Sequence, residues 1–259
     1  KNAIVKKLSA VETLGSATVI CTDKTGTLTL NQMCVTRLFV NNKLIEVTGA
    51  GYDPRGEFFH NNEPLSKDGL KNDGIALTLA GGALCNNASL KPPSQGGISW
   101  TVTGDPTEGA LITAAEKAGL RMDLVKYSLQ RIAQIPFERI RKRMTTVHEV
   151  KDGLPDIMPP GISIKEGRAI AFVKGAPGEM MALCSHIFHN GALKPLTDDA
   201  RERVIHQNDL MAGRGLRILG VAFREGSNEA AGNAVYTAPD IETGLNFLGL
   251  IAMIDPPRP

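Results

Sequence analysis

The stretch Cys21-Thr22-Asp23-Lys24-Thr25-Gly26-Thr27-Leu28-Thr29 concentrates the groups that could do chemistry. A carboxylate at the carboxyl edge of a sheet stands where open α/β folds place their reactions. Asp23 there could act as a nucleophile and form an aspartyl phosphate, splitting one hard displacement into two easier steps. Lys24 would offset charge on the transferring group, and the Thr25 and Thr27 hydroxyls could donate to its oxygens. Gly26 allows close backbone approach. The plainer alternative is a strand followed by a polar turn, with Asp23 capping or merely exposed.

A second constellation is spread along the chain. Arg139, Lys142, Lys174 and Arg217, with the single aromatic Phe137, suit an anionic ligand that bears a flat base. An aromatic among cations is a good stacking platform. Lys174 follows the apolar run Ala169 to Val173, so its ammonium should emerge at a strand end, and Gly175 permits close ligand approach. Glu108 has its own structural explanation: Asp105-Pro106-Thr107-Glu108 reads as a helix start, with Asp105 as N-cap and Glu108 reaching back in a capping box.

These residues need elements to hold them. Ser16 to Cys21 has the length and composition of a buried parallel strand leading to Asp23. Val35 to Val40 and Lys43 to Val47 flank Asn41-Asn42 as an antiparallel hairpin. Residues 49–71 read as an extended surface segment, 73–87 as a buried helix that tolerates Gly81-Gly82, and 89–97 as a loop. A helix is predicted from Asp105 to Gly119. Strands are predicted over 143–150, 168–174, 216–223 and 245–254, and helices over 177–184 and 197–212, the latter capped by Thr197. Glu225 to Asn233 reads as a polar loop. The succession predicts an α+β domain, an antiparallel twisted sheet flanked by helices, inserted into an α/β domain, with chain crossings near Cys34 and Leu248.

Composition narrows the field. At 259 residues, 42% hydrophobic and 22% charged, the chain has the make-up of a globular protein. A net charge of +2 without a long basic run gives no reason to propose nucleic acid as a partner. The four scattered cysteines, Cys21, Cys34, Cys85 and Cys184, lack paired metal-ligand spacing and read as reduced thiols. No window approaches the roughly 18–20 apolar residues that span a bilayer.

The nonapeptide around Asp23 resembles the phosphorylation motif of the P-type ATPases, cation pumps that phosphorylate an aspartate from ATP. Lys1 to Leu8, Val11 to Gly15 and Asn31-Gln32-Met33 are similar to the flanks of that motif in type-II pumps, above all those resembling the calcium pump of sarcoplasmic reticulum. Thr103-Gly104-Asp105-Pro106-Thr107-Glu108 is similar to T-G-x-x-T-E, which implies that Glu108 approaches the adenine amino group. Phe137 to Met144 resembles F-x-R-x-R-K-x-M, implying Phe137 stacked on adenine, Arg139 and Lys142 facing the nucleotide, and Met144 beside the base. Lys174-Gly175-Ala176-Pro177 resembles K-G-A-P, with the lysine deep in the nucleotide pocket, although Gly178 stands where the family usually has glutamate. Gly215-Leu216-Arg217 resembles a segment whose arginine contacts ATP phosphates. Asp255-Pro256-Pro257-Arg258 is similar to the D-P-P-R hinge, whose Asp255 and Arg258 could form hinge links or approach the nucleotide.

The resemblance therefore implies ATP and Mg²⁺ as cofactors, Asp23, Lys24 and Thr25 as catalytic groups, and Asp23 with the Thr25 carbonyl as Mg²⁺ ligands. The remaining ligand would lie in a part of the family's sequence beyond D-P-P-R. It divides the chain into 1–33, the start of a partial HAD-like phosphorylation domain; 34–247, the nucleotide-binding domain; and 248–259, the return strand and hinge. The expected molecule is a soluble, cytosolic-face piece of an integral membrane pump. It would bind ATP without transporting, and its partners would be the transmembrane and actuator domains of the same polypeptide. The transported cation would be bound elsewhere; overall likeness favours calcium, with sodium, potassium, proton and magnesium open. Two rivals are a soluble phosphohydrolase with an aspartate nucleophile and a non-catalytic nucleotide sensor. The first would normally carry a second aspartate where Thr25 stands.

Overall fold

The computed structural model describes residues 4, 6–19, 21–23, 27–93, 99–151, 156–229 and 236–257. After a short helix α1 (Leu8–Gly15), the chain enters a sheet at β1 (Cys34–Val40) and turns back through β2 (Lys43–Val47). Asn41 and Asn42 at the turn have φ of 52° and 60°, the left-handed pair that a two-residue type I′ turn requires. The same solution recurs at Asn61-Asn62, between β3 (Phe58–His60) and β4 (Glu63–Pro64). A helical layer follows, made of α2 (Lys67–Asn72) and α3 (Ile75–Leu84). Beyond the small ribbon of β5 (Ser89–Lys91) and β6 (Thr101–Thr103) it continues with α4 (Pro106–Lys117) and α5 (Met122–Ser128).

The sheet then grows through β7 (Leu129–Glu138), β8 (Arg143–Val150) and β9 (Arg168–Gly175). Helix α6 (Pro177–Leu183), the hairpin β10 (Cys184–His189) and β11 (Ala192–Pro195), and α7 (Asp198–Ala212) follow. The chain closes with β12 (Arg217–Glu229), α8 (Ala238–Ile241) and β13 (Leu245–Ile254). The strand order is β4-β3-β2-β1-β13-β12-β9-β8-β7, every pair along this path antiparallel; β10 joins β13 in parallel and carries β11.

Alternation along the strands builds a core on each face. Leu38, Phe172, Val221 and Ile251 pack with α3 and α4, whereas Phe39, Val173, Ala222 and Leu250 pack with Met180 of α6 and Val204 and Met211 of α7. All ten residues of α3 are buried, which accounts for Gly81-Gly82. A Cβ on Gly81 would stand 2.8 Å from Phe172 and 3.2 Å from Val221, so the helix lies directly on the sheet.

The α+β sheet with flanking helices, the Asn41-Asn42 hairpin and the helices after Asp73, Asp105, Ala176 and Thr197 agree with the sequence reading. Four expectations do not hold. Residues 16–19 and 21 form no strand and are exposed, Val19 by 76%. Among the described residues no strand pairs with them, and a parallel strand is stable only when laddered and covered on both faces. Residues 49–71 hold β3, β4 and the start of α2 rather than only extended chain, and β5 occupies the start of the loop expected over 89–97. Strand β12 runs to Glu229, into the expected polar loop, because Arg224 and Glu225 stay in register with Ala171 and Ile170. Strand β13 is laddered to β1 and β12 as far as Met253 and to β1 at Ile254. Past the end of β13 the two chain segments stay together: Cys34 faces Ile254, Thr29 bridges Pro257, and the Leu30 amide donates to the Pro256 carbonyl.

Candidate functional site

Strand alternation brings one face of β8, β9 and β12 to the end of the sheet beside the α4 N-terminus. There Met144, Lys174, Gly175 and Leu219 meet Thr107, Glu108 and Arg217 around a cavity of about 310 Å³. Asn87, Gln134, Pro136 and Phe137 complete the wall. Phe137 is 61% exposed, an aromatic ring left in solvent at the mouth of a pocket. Met144 forms apolar floor at 2% exposure.

Deeper in, Lys174 Nζ donates to Glu108 Oε1 at 2.6 Å, with the lysine side chain 8% and the glutamate 16% exposed. Glu108 Oε2 accepts from the Asn87 amide at 2.9 Å. Glu108 therefore does not reach back to the helix start as expected of a capping box: Asp105 alone caps α4, accepting from the amides of Thr107 at 2.7 Å and Glu108 at 3.3 Å. Burial by itself would raise the Asp105 carboxyl. The Thr107 side chain, those amide donors and the nearby Arg217 charge outweigh it and hold the group below the usual carboxylate range.

Of the residues the sequence singles out, Glu108, Phe137, Met144, Lys174, Gly175 and Arg217 line this one cavity. Arg139 and Lys142 do not. Arg139 lies in the exposed β7–β8 turn, and the Lys142 ammonium pairs with Glu179 at 3.1 Å while its backbone takes φ of 50°. The glycine at 175 answers to protein packing, since a Cβ there would meet Arg143 Cβ at 2.6 Å and the Lys142 carbonyl at 2.7 Å. Asp255 lines an adjoining cavity of about 280 Å³ that shares Asp105, Thr107 and Arg217 with the first. Its carboxylate accepts from Thr29 Oγ1 at 2.5 Å and from the Gln32 amide at 3.3 Å. Asp23 is exposed and lines neither cavity. Lys24, Thr25, Gly26 and Arg258 lie outside the described residues.

Two participants escape a reading of the sequence. Arg131 on β7 donates to Asn87 Oδ1 at 2.9 Å and to Gln134, fixing two polar wall residues. Glu242, 1% exposed, accepts from Arg141, Arg143 and Thr145. Burial would raise its carboxyl, but these three donors hold it below the ordinary glutamate range. The half-buried alternation of Arg131, Ala133 and Ile135 was the available signal for β7; nothing local marks Glu242.

Cation, apolar floor and exposed ring together fit a nucleotide. Among the described residues no group of three His, Cys, Asp or Glu side chains could hold a metal. Nor does any helix of the described residues have the length and apolarity to cross a membrane.

A family model described as P-type ATPase, cytoplasmic domain N, matches residues 75–259. The whole chain is similar to a cation-transporting ATPase, pma1, of Synechocystis sp., at 41% identity and covering 26% of that protein. It is 35% identical to a calcium-transporting ATPase of Bacillus subtilis, again over the whole chain and 26% of the relative. It is 36% identical to the calcium-transporting ATPase type 2C member 1 of Bos taurus, over the whole chain and 23% of the relative. The chain thus spans about a quarter of the length of the curated relatives it matches.

Proposed function

The chain belongs to the P-type ATPase family, residues 75–259 matching its cytoplasmic N domain, and from that premise we propose that it carries the ATP-binding domain of a cation pump working through an aspartyl phosphate on Asp23. The observation that carries the proposal is the exposed Phe137 ring at the mouth of a cavity whose inner end holds the Lys174–Glu108 pair. Adenine stacks on the ring, a contact worth about 1–3 kcal/mol per base on aromatic platforms. Glu108 already accepts two donors and is turned inward, so it presents an acceptor to the exocyclic amine of the base. Arg217 borders both cavities and leads the phosphates from the first toward the second, beside Asp255.

In the complete enzyme, closure brings the γ-phosphate to Asp23. A carboxylate oxygen attacks phosphorus in line, the bond to the β–γ bridging oxygen breaks, and ADP leaves. Lys24 and Thr25 are the groups expected to neutralise and orient the transferred phosphoryl. Asp23 and the Thr25 carbonyl would be the protein ligands of Mg²⁺, which would offset charge on the triphosphate. A threonine at 25, where hydrolases place a second aspartate, favours a long-lived acyl phosphate. The names of the relatives support transport of a cation, calcium among them. We place residues 1–33 with the phosphorylation domain, of HAD-like α/β type, and the pump's transmembrane and actuator portions in the same polypeptide. The domain then works at the cytosolic face of the membrane.

Calorimetric titration of the 259-residue chain with ATP tests the reading. Saturable binding that Phe137→Ala and Lys174→Ala each weaken by about tenfold is expected, from the loss of one stacked base or one charge-assisted donor. A folded chain that binds no ATP, or binds it equally well in both variants, overturns the assignment.

A further inference from the structure

We propose that Arg141 and Glu242 form a clamp that sets the orientation of Phe137, making Glu242 a positioning residue for the base; the proposal rests on the nucleotide reading of the cavity. The β7–β8 register slips between Ile135 and Glu138, so Pro136 and Phe137 have no opposite rung in the ladder. Pro136 also has no amide to donate. The Phe137 side chain, 61% exposed, gains little from packing. Ladder and core thus both leave the ring's direction under-determined, yet a stacking platform contributes only if it is held in place before the ligand arrives.

Arg141 supplies the missing constraint. Its Nη2 donates to the Pro136 carbonyl at 2.7 Å and its Nε to Glu138 Oε2 at 2.9 Å, bracketing Phe137 on both sides. Its remaining arm, Nη1, donates to Glu242 Oε1 at 2.5 Å. Glu242 arrives from the end of α8, about a hundred residues further along the chain, and its other oxygen accepts from Arg143 Nε at 2.6 Å. Thr145 Oγ1 adds a donor at 2.6 Å, and Arg143 Nη1 returns to the Arg141 carbonyl at 3.0 Å, closing the circuit. The two guanidiniums of Arg141 and Arg143 are thereby matched by the carboxylates of Glu242 and Glu138. A buried carboxylate between two guanidiniums is poor value as stability alone, because apolar residues of the same volume often do as well. What the planar fork adds is direction.

A double-mutant cycle on the 259-residue chain tests the clamp, with ATP affinity by calorimetry, inorganic tripolyphosphate as a base-free probe, and urea unfolding to monitor the fold. Glu242→Gln is expected to weaken ATP about five- to tenfold and leave tripolyphosphate affinity unchanged. Phe137→Ala, costing about tenfold in the parent, should cost less than about threefold on top of Glu242→Gln, because a ring already misdirected has little left to lose. If Glu242→Gln fails to fold, Arg141→Lys runs the same cycle, keeping the charge while losing the three-way fork. Multiplicative losses, or equal losses for ATP and tripolyphosphate, overturn the clamp and leave the nucleotide reading standing. Absence of ATP binding by the parent chain overturns that reading, and the clamp with it.

Discussion

His148 is shut inside the sheet at 1% exposure, edge-on to Phe172 with ring centroids 5.9 Å apart. Its Nδ1 lies 3.0 Å from the Leu129 carbonyl, which can only accept, so Nδ1 carries the proton and Nε2 accepts from Thr146 Oγ1. Burial pushes the imidazole down to about 4, the Leu129 carbonyl only partly opposing it and the Arg131 charge assisting. The unfolded chain therefore binds a proton near pH 6.5 that the folded chain refuses until about pH 4. Stability is full above the upper value and falls as pH drops across that window, by at most about 3 kcal/mol at ~1.4 kcal/mol per unit. His148→Gln, which keeps polar contacts and does not titrate, should flatten the loss between pH 7 and pH 5, read from urea midpoints against the parent. A parallel slope in the variant would assign the titration elsewhere, His189 being lowered in the same direction. At this scale the sequence spoke plainly where a residue's neighbours in the chain are its neighbours in space. Lys174 at the end of an apolar strand is such a case. Glu242 is the opposite one, since its partners lie about a hundred positions upstream and no pattern announces them.

Helix α3 shows how an element can defy propensity yet be forced by packing. A Gly-Gly pair inside a helix costs about 2 kcal/mol against alanine. Here Gly81 lets the helix axis approach Phe172 and Val221 closely. Gly81→Ala gains about 1 kcal/mol in propensity but pushes a methyl to 2.8 Å from a fully buried ring. Overpacking of that kind costs roughly 1–3 kcal/mol, so a net loss of about 1 kcal/mol is expected in urea unfolding. A stabilised variant would mean that α3 can retreat from the sheet. The same tension governs what could be read of the elements. Hairpins with Asn-Asn turns and helices with Thr or Asp caps are written locally, as at Asn41-Asn42, Asp105 and Thr197. The expected Ser16–Cys21 strand rests on length and composition, and neither can supply the pairing partner that a strand needs. Strand β7 carries no clean apolar pattern, because Gln134 and Pro136 wall the pocket and Arg131 holds Asn87 and Gln134 in place.

The whole molecule turns on β13, laddered to β1 on one side and β12 on the other. Ending the chain at Phe247 removes seven residues of this central strand and exposes both core faces at once, so no cooperative unfolding transition is expected. A chain of residues 28–257 keeps every sheet rung and the Thr29–Pro257 bridge, and should unfold with the midpoint of the full chain. Cooperative unfolding of the shorter form would place the body's limit near 247 after all. Which strand closes the sheet was foreseeable, since Leu245 to Ile254 is the last apolar run. That it lies at the centre was not, because strand order depends on contacts between positions more than 200 residues apart.

The antiparallel meeting of Cys34 with Ile254 has a mechanical consequence. Residues 29 and 257 leave the body side by side, so a force drawing them apart loads the ladder one rung at a time: the Thr29–Pro257 bridge first, then the bonds to Asp255, then Cys34 opposite Ile254. Strands pulled this way peel, whereas strands pulled lengthwise must shear all their bonds together. The body is thus expected to yield to a gentle tug at its root.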